Sequence, residues 1–163
     1  MTRFRTKVTD LLEARNIAYR LLPHTEPVYT VEAAAAQRGV VKQEMVKSIL
    51  LRDRNRRYVM ACILGDTRLD PKAVRAHLSG DWKRLSFASA EEIREISGYV
   101  QGAVNPLGLP AEVPVIFDEA ISRCSKVNIS SGDPMAGLEL DAHDLIDLAS
   151  AIMAPIAGKD SSG

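Results

Sequence analysis

Among the 163 residues there are only two cysteines, three histidines and one tryptophan, and aromatic side chains make up 5%. The pair Cys62 and Cys124 is too small for the multi-bridge framework of a small secreted domain and fits no metal-ligand spacing. Such cysteine usage points to a reducing, cytoplasmic setting. Cys62 lies in an apolar strand and Cys124 among polar residues without a nearby base, which argues against a thiol nucleophile. His24, His77 and His143 are scattered; His143 stands beside Asp141 and Asp144, but at a helix start where capping accounts for them. No metal site and no cofactor are therefore expected. No apolar run approaches the ~20 residues that cross a bilayer, so no membrane association is expected. The first residues, "MTRFRTKVTDLLEARN", are charged throughout and show no apolar core of a secretory signal. Also missing are the phosphate-binding G-x-x-x-x-G-K-[ST], the dinucleotide G-x-G-x-x-G, the G-x-S-x-G elbow and H-E-x-x-H.

Net charge is zero, which by itself argues against a general nucleic-acid binder, yet its distribution is uneven. Residues 1–84 hold 17 Lys and Arg against 9 Asp and Glu, whereas residues 85–163 hold 4 against 12. Either a polyanionic partner meets the basic half, or the halves intermix and neutralise across one surface.

What is present reads as short alternating helices and strands. Phe4, Val8, Leu11, Leu12 and Arg15 have helical spacing, with Asn16 as a stop, and "IAYRLLPH" follows as a strand. Thr30 caps a helix "VEAAAAQRG" closed by Gly39. "VKSILLRD" and "RYVMACIL" read as an interior hairpin around "RNR". Asp70 and Pro71 open the helix "LDPKAVRAHL", and a short strand lies near "KRLSFA". Ser89 and Glu92 form a capping box for a helix that Gly98 stops. "VPVIFD" reads as a strand followed by a short helix from Asp118, and "KVNIS" and "GLELD" flank the turn "SGDPM". Asp141 caps a last helix, "AHDLIDLASAIM", with Leu145, Leu148 and Ile152 along one side. The expected fold class is α/β: one compact domain over residues 1–155, its mixed, partly antiparallel, barrel-like sheet surrounded by helices, then a flexible tail over 156–163.

Three features can carry chemistry. Lys47 shares a strand face with Ile49 and Leu51, so its ammonium either snorkels to the strand edge or serves a site. In "SGYVQGAVNPLGLP", Gly98 has a role as helix stop but Gly102 does not. It makes either a structural turn or a close main-chain approach to a ligand, and Asn105–Pro106 sets the exit of the loop. "NISSGDP" offers a second polar loop with Ser130, Ser131, Gly132 and Asp133.

In order and spacing, "VKSILLR", "GYVQGAVNPLG" and "VNISSGDPMAGLELDAHDLIDL" resemble the YbaK-type aminoacyl-tRNA deacylases, free-standing relatives of the editing domain of bacterial prolyl-tRNA synthetase. The resemblance runs from Leu11 to Leu148. It implies hydrolysis of the ester joining a wrong amino acid to the 3′-terminal ribose of tRNA, most plausibly tRNA(Pro) carrying Ala, Ser, Cys or Thr. Mischarged tRNA, and with it prolyl-tRNA synthetase, are the implied partners. It also implies that Lys47, Gly102 and the loop Ser130–Asp133 face the aminoacyl-adenosine end, with Thr30 lining the amino-acid pocket. Main-chain N–H groups near Gly102 and Ala103 would then hold the tetrahedral oxyanion, with Lys47 acting electrostatically. Two departures stand out: Ala103 occupies the place where many relatives have a second glycine, and the last loop carries Asp133 and lacks the basic residue that several relatives place nearby. Asp133 either binds the substrate ammonium or forms an Asx turn before Pro134. Arg54, Arg56 and Arg57 either contact tRNA phosphates or form a solvated hairpin tip. Two rival readings remain: a non-catalytic module that binds aminoacyl-tRNA or a synthetase, and a hydrolase of another small aminoacyl ester.

Overall fold

Local signals account for most elements in the computed structural model, which describes residues 4–159. The Thr6 hydroxyl accepts the Thr9 N–H and the Thr9 hydroxyl accepts the Thr6 N–H, a capping box that starts α1 (Lys7–Ala14). After β1 (Tyr19–Pro23), Thr30 caps α2 (Val31–Arg38) and Gly39 closes it in the left-handed conformation. A 3₁₀ turn at Lys42–Glu44 leads into β2 (Val46–Arg52), which returns as β3 (Tyr58–Leu64). β4 (Thr67–Leu69) precedes α3 (Pro71–Ala76), and the two-residue β5 (Ser86–Phe87) precedes α4 (Ala90–Ser97). Then come β6 (Val115–Asp118), a 3₁₀ segment Glu119–Arg123, β7 (Lys126–Asp133), β8 (Ala136–Asp141), α5 (Ala142–Ala149), β9 (Ile152–Ala154) and β10 (Ala157–Lys159).

These strands form a five-stranded sheet in the order β5-β2-β3-β6-β9, a three-stranded sheet β1-β8-β7 and the pair β10-β4. The largest is mixed: β2 is antiparallel to β3 and β5, whereas β3–β6 and β6–β9 are parallel. Its central strands are buried on both faces, which is why they read as continuous apolar runs. Met60 and Cys62 point into a core shared with α1, α5 and the three-stranded sheet. Val59, Ala61 and Ile63 point the other way, onto Leu69, Val74, Trp82 and Ile156. The two larger sheets share the core around Met60 and Cys62 and are joined by a backbone bridge from Met45 to Asn128.

Three expectations change. Among the described residues no sheet closes on itself, so the fold is mixed α/β without the barrel-like closure. The last helix ends at Ala149, not beyond Ile152. Ser150 turns left-handed (φ 49°) and the Ala151 N–H reaches back to the Ile146 carbonyl. Ile152 therefore sits exposed in β9. Residues 156–159, read from the sequence as tail, belong to the fold: Ile156 is fully buried and β10 pairs with β4. The remaining tail residues lie outside the described range.

Asp118, nearly buried, ties that last strand down. Its Oδ1 accepts the N–H groups of Ile156 (2.9 Å) and Ala157 (3.1 Å), and its Oδ2 accepts that of Ala120 (3.2 Å). Asp118→Ala strands these donors and should cost about 3 kcal/mol in urea unfolding, with faster amide exchange along Ala157–Lys159. A loss under about 0.5 kcal/mol contradicts this anchoring role.

Candidate functional site

β5 pairs with β2 only at Leu51 and Arg52, and β7 bridges the chain only at Met45, so from Lys47 to Ile49 the outer edge of β2 is unpaired among the described residues. The Leu50 carbonyl faces outward, accepting the Ala88 N–H, and strand alternation turns the peptide groups of Ser48 the same way. A cleft of about 220 Å³ opens along this edge. Lys47, Ser48 and Ile49 form one wall, Thr30 and Arg38 of the α2 segment another, and Gly102, Val104 and Ser130 complete it. The Lys47 ammonium donates to the Thr67 carbonyl at 2.8 Å, which fixes it on its wall. Thr30 also caps α2 through its hydroxyl, at 3.0 Å from the Ala33 nitrogen.

The glycine loop is a β-turn. Ala103 N–H donates to the Val100 carbonyl at 3.0 Å, and Gly102, at φ 90°, takes the position that type II geometry reserves for glycine. A Cβ on Gly102 would lie 2.9 Å from the Tyr29 ring and 3.0 Å from its Cα, so the loop packs directly on the chain leading into α2. Ala103 is buried at ordinary φ, and its N–H is already engaged. The expected donor pair therefore shifts. Gly102 and Val104, both on the cleft, carry N–H groups without a partner among the described residues. A second glycine at 103 is not needed for this backbone, so that departure costs nothing. Asn105 fastens the loop exit: its Nδ2 donates to the Ser130 carbonyl at 2.6 Å and its Oδ1 accepts the Leu107 N–H at 2.8 Å.

Of the second loop, only Ser130 lines the cleft. Its hydroxyl accepts the Gly132 N–H, which is thereby used internally. Asp133 Oδ1 accepts the Met135 N–H at 2.8 Å across Pro134, the Asx-turn alternative, and Asp133 is not part of the lining. Arg54, Arg56 and Arg57 sit on the β2–β3 turn, about 20 Å from Lys47 by strand rise. All three are exposed, and Arg57 stacks on Trp82 at 3.9 Å. Burial pushes the Cys62 thiol up to about 12 and raises that of Cys124. Among the described residues no three His, Cys, Asp or Glu side chains gather as a metal site requires.

Sequence reading missed Arg38. A basic residue in the last turn of a helix looks like ordinary dipole complementation. In the fold it is half-buried at the cleft, donating from Nε to His24 Nε2 (3.1 Å) and from a terminal nitrogen to Asn128 Oδ1 (2.8 Å). Desolvation lowers its pKa to about 10. His24 Nδ1 lies 2.7 Å from the Pro134 carbonyl and must carry the proton there, leaving Nε2 as acceptor. Tyr29, Ser48 and Val104 were likewise unmarked in the sequence.

The aminoacyl-tRNA editing domain model matches residues 25–148. The chain belongs to the aminoacyl-tRNA editing family. This is the YbaK/ProX family of aminoacyl-tRNA deacylases, related to the editing domain of prolyl-tRNA synthetase and acting on mischarged tRNA. The chain is 30% identical to the prolyl-tRNA editing protein ProX of Acetoanaerobium sticklandii over 145 residues, 86% of this chain and 87% of that one. It is 33% identical to the proline–tRNA ligase of Bacillus licheniformis over 115 residues, 71% of this chain, and spans 20% of the ligase. The crystal structure of hypothetical protein APE2540 superposes with a TM-score of 0.84 at 31% identity, covering 94% of this chain and 100% of that one. No helix among the described residues of this editing domain is long and apolar enough to cross a membrane.

Two predictions follow from the cleft walls. Gly102→Ala meets both positive φ and Tyr29, and should lower stability by about 1–3 kcal/mol in denaturant titration; an unchanged midpoint contradicts the packing. The His24 pKa is lowered, mainly by burial and further by Arg38, against the opposing pull of the Pro134 carbonyl and Asp133. The unfolded chain then takes up the proton first. The stability His24 contributes is complete above the ordinary imidazole pKa of about 6.5 and is lost as pH falls below it. His24→Gln should flatten this slope in melts between about pH 7 and 5, and an identical slope in both proteins refutes the assignment.

Proposed function

We propose that this editing domain hydrolyses the ester of mischarged tRNA(Pro) carrying a small amino acid, of the class Ala, Ser, Cys or Thr. The observation that supports the reading most is convergence. Lys47, Gly102, Thr30 and Ser130, far apart in sequence, line one cleft that has main-chain N–H groups and cations but no strong nucleophile. An aminoacyl ester is already activated, so a positioned water suffices. The water oxygen bonds to the acyl carbon, the ester C–O bond breaks, and the ribose oxygen leaves with the water's proton.

The N–H groups of Gly102 and Val104 receive the developing oxyanion, one such donor being worth ~3–4 kcal/mol. Lys47, anchored on the Thr67 carbonyl, contributes its positive charge to the same centre or to a terminal phosphate. General-base action would require Lys47 to be the neutral amine, which the electrostatic role does not. Arg54 and Arg56 are exposed on the β2–β3 turn and, unlike Arg57, are not stacked on Trp82, and they contact tRNA phosphates beyond the terminal nucleotide.

A panel of mischarged tRNAs and aminoacyl-adenosines, with Lys47→Ala beside the wild type, tests the reading. Deacylation of tRNA that falls by roughly 100-fold or more in Lys47→Ala supports it, while binding without turnover would instead mark a recognition module. Replacing Arg54 and Arg56 by Ala should reduce the slope of log kcat/KM against log salt by about 1–2. An unchanged slope removes the turn from the tRNA footprint.

A further inference from the structure

The Arg38 guanidinium is built into the cleft with unusual care and with no anion. Its two protein partners, His24 Nε2 and Asn128 Oδ1, are neutral acceptors, and no carboxylate pairs with it among the described residues. Both partners are themselves fixed. His24 is held by the Pro134 carbonyl, and Asn128 donates its Nδ2 to the Glu44 carbonyl at 3.1 Å, which dictates which way its amide faces. Room for the guanidinium comes from β8, where a Cβ on Gly137 would overlap it. Guanidinium carries five N–H donors, and the bonds to His24 and Asn128 leave donors on the cleft side of the group. A half-buried cation paired only with neutral groups is poorly compensated unless a ligand brings the missing acceptor.

Building on the deacylase reading, we infer that Arg38 is the specificity-determining residue of the cleft and selects an aminoacyl side chain bearing an oxygen acceptor, a hydroxyl or carboxylate, over an apolar one. Within the small-residue class this favours seryl and threonyl over alanyl esters. The same charge disfavours the substrate's α-ammonium near Arg38, so the ammonium is turned away and the side chain is presented to it. An apolar side chain at this position would leave desolvated donors unmatched, and that mismatch is the source of discrimination.

The test uses non-hydrolysable amide-linked alanyl-, seryl- and aspartyl-adenosine, each with and without a 5′-phosphate, titrated calorimetrically into wild type, Arg38→Met and Arg38→Lys. Wild type should bind the seryl and aspartyl analogues at least roughly tenfold tighter than the alanyl one. In Arg38→Met the three should agree within about twofold, and in Arg38→Lys the aspartyl analogue should stay ahead of the alanyl one. Equal affinities in wild type overturn the inference whether or not the variants fold. A loss in Arg38→Met that is equal for all three side chains and confined to the phosphorylated forms also overturns it, by assigning Arg38 to a phosphate. Deacylation of mischarged tRNA is read separately. Arg38-dependent selectivity without turnover defeats the deacylase reading and leaves this one standing, whereas turnover without side-chain selectivity does the reverse.

Discussion

The cleft depends on one interrupted contact, the loss of the outer neighbour of β2. β5 is two residues long and covers only Leu51 and Arg52, so the peptide groups around Ser48 emerge from an otherwise paired sheet. An unpaired edge inside a domain must be covered, wetted or used. Here the loop through Gly102 and the start of α2 are drawn opposite it, leaving a hollow between them. The same interruption explains Lys47. Deeper in the sheet its stem would point into packed apolar side chains, but near the open end it reaches the Thr67 carbonyl.

Three separately folded pieces face each other across that hollow, and each is held by its own short-range bonds. The turn from Val100 to Ala103 is closed by its own hydrogen bond, and Asn105 ties its exit to β7. α2 is capped at both ends, and its last turn is tied by Arg38 to His24, just past the end of β1, and to Asn128 of β7. Such rigid construction suits a site that works by positioned charges and donors rather than by a reactive side chain. The charges contributed by the cleft side chains are positive, from Lys47 and Arg38, which fits an oxygen-rich, electron-withdrawing ligand and disfavours a free cation.

Much of this was legible in the linear chain. Caps at Thr30, Asp70, Ser89 and Asp141, and stops at Gly39 and Gly98, are local hydrogen-bond and φ requirements, and the corresponding helices begin or end there. The doubly apolar β2 and β3 were recognisable as interior strands. Less legible were the short elements whose existence depends on a distant partner. β4 and β10 are three residues each and have no local signature, and β9 was hidden because "SAIM" continues a helical pattern until Ser150 leaves it without a glycine. Closure of the sheet into a barrel depends on long-range pairing, and the strands divided into three sheets instead.

The site divides along the same line. Sequence alone determined which residues are unusual for their local setting: a lysine on an apolar strand face, a glycine with no helix to stop, a polar loop after a strand. It also determined the family, because those residues recur in a recognisable order. Only the tertiary structure decided which N–H groups remain available, since Ala103 and Gly132 spend theirs on partners inside their own loops. It alone turned Asp133 into a turn-former and made Arg38 part of the cleft. Local chemistry is written in neighbouring residues, but whether a donor or a charge is satisfied depends on groups that folding brings from up to about a hundred positions away, as Asn128 is brought to Arg38.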